Sequence, residues 1–258
     1  MLPLSIFVFI FGLIIGSFLN VVILRLKSGK KGIITGTSAC PNCHKRLSFW
    51  DLIPVFSYIL LKGRCRYCSK KVSIQYPLVE LLTGIVFAII SIKFIEPYAT
   101  DIPFQAILML IYCCVLIVVS VYDLKYYELP DKVLLPAIGL ALVATLFPFT
   151  PKFTDALLGA SIPLAFFGAQ IIISKGRWIG GGDLRLGAFM GLVLGWKVTL
   201  VALFLSYLVG AFISIFLLAL KKKTAKSQVP FGPFLSIGLF IGIIWGEVIL
   251  KWYIDLVF

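Results

Sequence analysis

Charge is what this sequence has least of. Only 14% of its 258 residues are charged while 60% are hydrophobic, against about a quarter charged in ordinary soluble domains. With a mean hydropathy of +1.06, that imbalance excludes a soluble globular protein and identifies an integral membrane chain. Charge is also missing ahead of the first apolar run: "MLPLS" has none, and the positive residues come after it. A secretory signal peptide needs the reverse order, so the run reads as a membrane span. Acids are the scarcest charges, 11 against 24 basic residues for a net charge of +13. That excess calls for no nucleic acid, because the positive-inside bias and anionic lipid account for it.

Apolar runs are abundant. Segments of about 20 apolar residues, the length that crosses the hydrocarbon core as a helix, recur at 2–24, 77–95, 104–122, 133–149, 155–174, 178–196, 198–220 and 231–250. The expected fold is therefore an all-α polytopic membrane protein of about eight transmembrane helices. Residues 25–76, between the first two spans, are too long and polar for a bare connector and are expected to form a small domain. Twenty of the 24 Lys and Arg fall on the side of that insertion, including Lys30, Lys31, Lys221, Lys222, Lys223 and Lys226. Only Lys93, Lys152, Lys197 and Lys251 fall opposite. Short basic loops stay in the cytoplasm, so the insertion is expected there and both termini outside.

The insertion carries "CPNC" and "CRYC", placing Cys40, Cys43, Cys65 and Cys68 as two C-x-x-C pairs. Two such pairs suit a closed, tetrahedral, structural zinc site, and a lobe this small needs a staple. A pair of disulfides or simply reduced thiols is the alternative, and disulfides are disfavoured in a reducing cytoplasm. His44, the one histidine, reads as a solvated loop residue beside four sulfurs that already complete the coordination. Cys113 and Cys114 lie mid-span and read as packing residues.

Ionisable groups in or at the mouth of a membrane span are costly and mark function by default. Asp123 ends the third expected span, and Asp183 follows three glycines in "WIGGGDLRLG". Two crossings separate them, so both face the same side. Residues 184–196 cover only about 20 Å of the roughly 30 Å core, so the "GGGD" stretch is partly submerged, where softened backbone requires a protein-lined or watered cavity. Asp183, Gly187, Gly191 and Gly195 recur every four residues, a stripe that admits a second helix. Two close carboxylates share a proton, giving one general base and one general acid, which is the chemistry of aspartic proteolysis. A proton relay in a transporter and simple helix capping are the other readings of such acids. Glu128 and Asp131 read as solvated loop charges around Pro130, with Asp131 a possible helix cap.

Eight stretches in order, "GSFLNVVILRL", "CPNC", "DLIPVFSY", "GRCRYC", "YPLVE", "VYDLKYYELPD", "GGGDLRLG" and "PFGP", resemble the bacterial type IV prepilin peptidases, polytopic G-x-G-D aspartic proteases. The resemblance implies a plasma-membrane enzyme that removes the basic leader of type IV prepilins or pseudopilins on the cytoplasmic side. It also implies N-methylation of the new N-terminal residue with S-adenosylmethionine. By motif position the catalytic pair is Asp123 and Asp183. The resemblance further implies two parts: residues 1–100, holding two spans and the cysteine loop, for methylation, and residues 101–258 for the peptidase. No glycine-rich nucleotide fingerprint follows a strand, so the residues alone do not disclose the cofactor site. Glu80 of "YPLVE" is a candidate partner for the new amine, or a solvated carboxylate at a helix start. Arg185 stands where many members have lysine, keeping charge but changing shape.

Two other functions remain open at this level. A proton-coupled transporter with an accessory zinc domain would show matching internal repeats, and none is evident. A scaffold recruiting assembly proteins would have no reason to carry submerged acids.

Overall fold

The computed structural model describes residues 4–28, 38–98, 104–220 and 228–257. Lys30, Lys31, Lys221, Lys222, Lys223 and Lys226, counted in the charge asymmetry, lie outside the described residues, as do the start of "MLPLS" and the 100/101 boundary. The described residues form α1 (Leu4–Ser28), α2 (Phe56–Leu60), α3 (Gln75–Phe94), α4 (Phe104–Tyr126), α5 (Asp131–Ala144), α6 (Phe153–Ser174), α7 (Gly181–Ala219) and α8 (Gly232–Val257). Among them, β pairing is confined to two isolated bridges, Ala39–Arg46 and Arg64–Lys71. The chain divides into two compact units, Met1–Val118 and Val119–Phe258.

Six helices, all but α2 and α5, are long and apolar enough to cross a membrane; the expected count of about eight is not reached on that measure. Two expected spans differ from expectation for separate reasons. The run at 133–149 yields only the 14 residues of α5, about 21 Å of helix. "FPFTP" ends it: proline cannot continue the helical ladder, and the Thr150 hydroxyl turns back to donate to the Ala144 carbonyl at 2.6 Å. The runs at 178–196 and 198–220 join into the single 39-residue α7, broken at Gly195, where φ is 71° and ψ 169°.

That break reverses the chain. Gly187 lies against Pro163 and Phe167 of α6, and Tyr207 packs on Phe166 and accepts a hydrogen bond from Gln170. Residues 187 and 207 therefore share one level of α6, although a straight helix would separate them by about 30 Å. α7 is thus two arms folded back on each other at a left-handed glycine. The first arm, 181–194, is shorter than the hydrocarbon is thick.

Small residues set the helix spacing in both units. In the first, α1 and α3 run antiparallel: a Cβ on Gly12 would lie 2.8 Å from the Gly84 Cα, and one on Gly16 2.7 Å from the Glu80 Cα. One turn on, buried Asn20 donates to the Tyr76 carbonyl at 3.1 Å and accepts from Gln75 at 3.3 Å. In the second unit the expected glycine stripe receives α6, and a Cβ on Gly191 would stand 2.2 Å from the Gly159 carbonyl carbon and oxygen. α8 packs on the other arm, Gly238 against Ser206 and Gly246 against Val198.

Replacing Gly191 by leucine should therefore force α6 and α7 apart and lower the thermal midpoint in detergent by more than about 2 kcal/mol of stability implies. Gly168→Leu, at a position with no atom within 4 Å of the added Cβ, should leave the midpoint nearly unchanged. Equal melting of the two variants would contradict the close approach.

Candidate active site and cysteine centre

Asp123 lies in the last turn of α4 and is 5% exposed. Its Oδ2 accepts the Gly232 amide at 2.9 Å, a buried bond spanning 109 residues. Gly232 opens α8, so the carboxylate occupies the amide-rich, positive end of a long helix. No side chain fits there: a Cβ on Gly232 would meet the Asp123 Oδ2 at 2.7 Å.

Asp183 is the third residue of α7. Its Oδ2 accepts the Gly180 amide at 3.3 Å, half of a capping box, the other half being impossible for glycine. Each aspartate thus sits at the start of a different helix. Leu129 connects the surroundings of the two. A Cβ on Gly182 would lie 2.8 Å from the Leu129 Cβ, and one on Gly232 2.9 Å from its Cδ2. Near them, Tyr207 packs at a tilt against Phe231, with ring centroids 4.9 Å apart. These two rings, Gly210, Ser214 and Phe234 line an open recess of about 240 Å³.

Two residues had a different expectation. Asp131 is a half-exposed charge that is also ion-paired, its Oδ1 receiving the Arg185 Nη1 at 2.5 Å, and Pro130, not Asp131, is the cap of α5. Arg185 is accordingly engaged with the α4–α5 connection. The sequence reading missed Tyr207, which has no motif around it, and the Gly232 amide, a backbone donor for which "PFGP" was the available sign.

In the other unit, the four cysteine sulfurs lie within 4.8 Å of one another, a group that could hold a metal ion. Two turns of the same form present them. The Cys40 amide donates to Lys45 and His44 to Cys40, as Cys65 does to Lys70 and Ser69 to Cys65. His44 and Ser69 take the matching left-handed φ, 57° and 56°, so exposed His44 serves the turn. Cys40 and Cys68 are 3.8 Å apart, the edge of a tetrahedron with metal–sulfur bonds of about 2.3 Å. Amides of Cys43 and Asn42 pull the Cys40 thiol down to about 6. Cys43, despite the Lys45 amide, is pushed up to about 11 by burial and the adjacent Cys40 and Cys68 sulfurs. Four thiolates so close repel, which is the charge a divalent cation neutralises.

Asp51, unnoticed in the sequence, fastens this lobe. Its carboxylate takes Arg66 at 2.6 Å, the Ser48 hydroxyl at 2.8 Å, the Ser48 amide at 3.0 Å and the Tyr67 hydroxyl at 3.3 Å. Burial opposes its charge, but Arg66 and Ser48 outweigh that and hold the carboxyl below its usual range. Glu80 is 6% exposed, which sets aside its reading as a solvated carboxylate. Its Oε2 accepts the Val55 amide at 2.7 Å. Val55 has φ 60° and ψ −49°, and Phe56 donates to the Pro54 carbonyl at 2.5 Å, a γ-turn of the rare strained form.

Residues 10–94 match the family described as Bacterial Peptidase A24 N-terminal domain, and residues 110–215 the Type IV leader peptidase family. The chain is similar to the prepilin leader peptidase/N-methyltransferase of Aeromonas salmonicida strain A449, 32% identical over 96% of this chain and 93% of that one. The same-named proteins of Pseudomonas aeruginosa and Bacillus subtilis strain 168 are each 31% identical, covering 95% and 96% of this chain and 91% and 97% of their own. No solved structure matches.

The Asp51 network predicts a pH dependence with a definite sign. A carboxyl lowered in the folded state stabilises fully above its unfolded value and loses that contribution as pH falls through the lowered one. Amide protection in residues 48–67, taken relative to the intrinsic exchange rate at each pH, should therefore fall on acidification below the ordinary carboxylate range, and Asp51→Asn should be poorly protected already at neutral pH. A profile flat with pH and identical in the variant would contradict this.

Proposed function

The chain belongs to the type IV leader peptidase family, and on that premise we propose that it is a multi-pass aspartic endopeptidase of the bacterial inner membrane that removes the leader of type IV prepilins or pseudopilins. The observation that carries the reading is the pairing of Asp123 and Asp183 at two helix starts, with an aromatic recess beside them. One carboxylate, ionised, takes a proton from water as the water oxygen attacks the scissile carbonyl carbon. The other, protonated, donates to the developing oxyanion. When the carbon–nitrogen bond breaks, the first carboxyl passes its proton to the leaving amine while the second takes one back from the diol hydroxyl as the carbonyl re-forms, so the pair returns to its starting state. The helix-start amides of Gly232 and Gly180 favour the anionic form of each carboxyl. Membership in a peptidase family favours this chemistry over a transporter's proton relay.

The excess of basic residues supports an orientation with the lobe and the aspartates on the cytoplasmic side and both termini outside. The relatives' names join leader cleavage to N-methylation, and we extend both to this chain, with residues 1–100 serving methylation and residues 101–258 cleavage. S-adenosylmethionine would supply the methyl group. The open recess of about 590 Å³ in the lobe, lined by Leu60, Lys62, Arg64 and Arg66, suits a carboxylate but not a sulfonium, so the cofactor is not assigned to it. Glu80, buried and tied to the strained Val55 turn, is the candidate partner for the substrate's new amine.

Cys40, Cys43, Cys65 and Cys68 would hold a structural zinc. When bound it cross-links the two cysteine turns and takes no part in cleavage.

Two measurements test these readings. With a synthetic prepilin peptide and S-adenosylmethionine, mass spectrometry should find cleavage followed by a methyl increment. Asp123→Asn and Asp183→Asn should each lower cleavage by at least about 10²-fold, and Glu80→Gln should cut but not methylate. Retained cleavage in either aspartate variant removes it from the mechanism. Purified protein should hold about one zinc per chain under reducing conditions. Because thiols must be deprotonated to bind, that zinc should be lost on sufficient acidification, with protons taken up as it leaves. A metal-free protein at neutral pH would overturn the assignment.

A further inference from the structure

The geometry points to a positioning role for residues 127–131, the strap between α4 and α5: Leu129 and the Arg185–Asp131 pair together set the separation of the two aspartates. The inference rests on the peptidase reading above and adds residues that the reading does not use.

The strap begins at one aspartate. Tyr127, with φ 56°, closes α4 by donating its amide to the Asp123 carbonyl at 2.8 Å. Leu129 then enters a gap bounded by two glycines. Gly182 immediately precedes Asp183, and Gly232 holds Asp123 through its amide; a Cβ on either would fall within 3 Å of Leu129. Leu129 is therefore a wedge between the segment that carries one carboxylate and the segment that grips the other. Two residues further on, Asp131 takes Arg185 across 54 residues of sequence, and Arg185 lies two residues beyond Asp183. The strap thus touches the end of α4 and the starts of α7 and α8, the three places from which the aspartates and their donors come.

The exposure of the ion pair separates positioning from stability. The Arg185 and Asp131 side chains are 42% and 47% exposed, and pairs this wet add little to folding. Orientation is a more sensitive quantity, since a displacement of about 1 Å can cost about 10²-fold in rate.

The test uses the full-length protein in lipid nanodiscs, steady-state cleavage of the prepilin peptide, and thermal melting of each variant. Leu129→Ala and Arg185→Ala should lower kcat by about 10- to 100-fold with KM within about twofold and little change in melting. Arg185→Lys, which keeps the ion pair, should stay near wild type. The exchanged pair Asp131→Arg with Arg185→Asp should recover about tenfold over the worse single variant. Unchanged kcat, a change confined to KM, or losses that follow the melting midpoint would each overturn the positioning role. A wild-type protein that does not cut the peptide overturns the peptidase reading and this inference with it. Cutting by the wild type with undiminished variants overturns this inference alone.

Discussion

A carboxylate held near hydrocarbon must be satisfied by donors within the protein, because bulk water does not reach there to solvate it. In this chain the first amides of two long helices do that work. α8 offers Gly232 to Asp123, and α7 bends the Asp183 carboxylate back to Gly180. Helix starts are suited to this because their amides have no intrahelical partner and their dipoles favour an anion. Most of the second unit follows from that requirement. The helices must begin at the aspartates, their first residues must be small, and the connection between α4 and α5 must pass across both starts.

Glycine meets the second condition repeatedly and for one reason, distance. At Gly182 and Gly232 a side chain would displace Leu129 or the Asp123 carboxylate; at Gly191 it would strike the backbone of α6. At Gly195 the reason is conformation, since the left-handed φ of 71° lets α7 double back. The same residue type therefore spaces helices, admits carboxylates and reverses the chain. In the first unit Gly12 and Gly16 bring α1 against α3, which anchors both ends of the cysteine lobe.

What was legible in the sequence is what is expensive in an apolar chain. Asp123, Asp183 and the two C-x-x-C pairs each stand out because a polar group there needs a reason; the structure brings the four sulfurs together and sets Leu129 between the glycines that neighbour the two aspartates. The stripe from Gly187 to Gly195 was equally visible, because a four-residue period survives translation into a helix face. The Asp131–Arg185 pair was not, since 54 residues separate two charges that each look ordinary at a membrane surface. Nor was the Gly232 amide, since every residue but proline carries such a donor and composition cannot mark the one that matters. The span count is a different matter: hydropathy measures apolar length, whereas α5 is cut short by a proline turn and the first arm of α7 ends at the Gly195 break. Asp51 went unread because one acid among many basic residues reads as a solvated charge, and its four donors are scattered from Ser48 to Tyr67.

The span of the Asp123–Gly232 bond has a consequence for biogenesis. The aspartate leaves the ribosome more than a hundred residues before the amide that receives it, and every intervening helix must enter the bilayer first. During synthesis Asp123 has no fixed neighbour of that kind, and its carboxylate gains this donor only once α8 is made. The geometry around this acid is thus a late product of insertion, set by a helix that the ribosome delivers well after the aspartate itself.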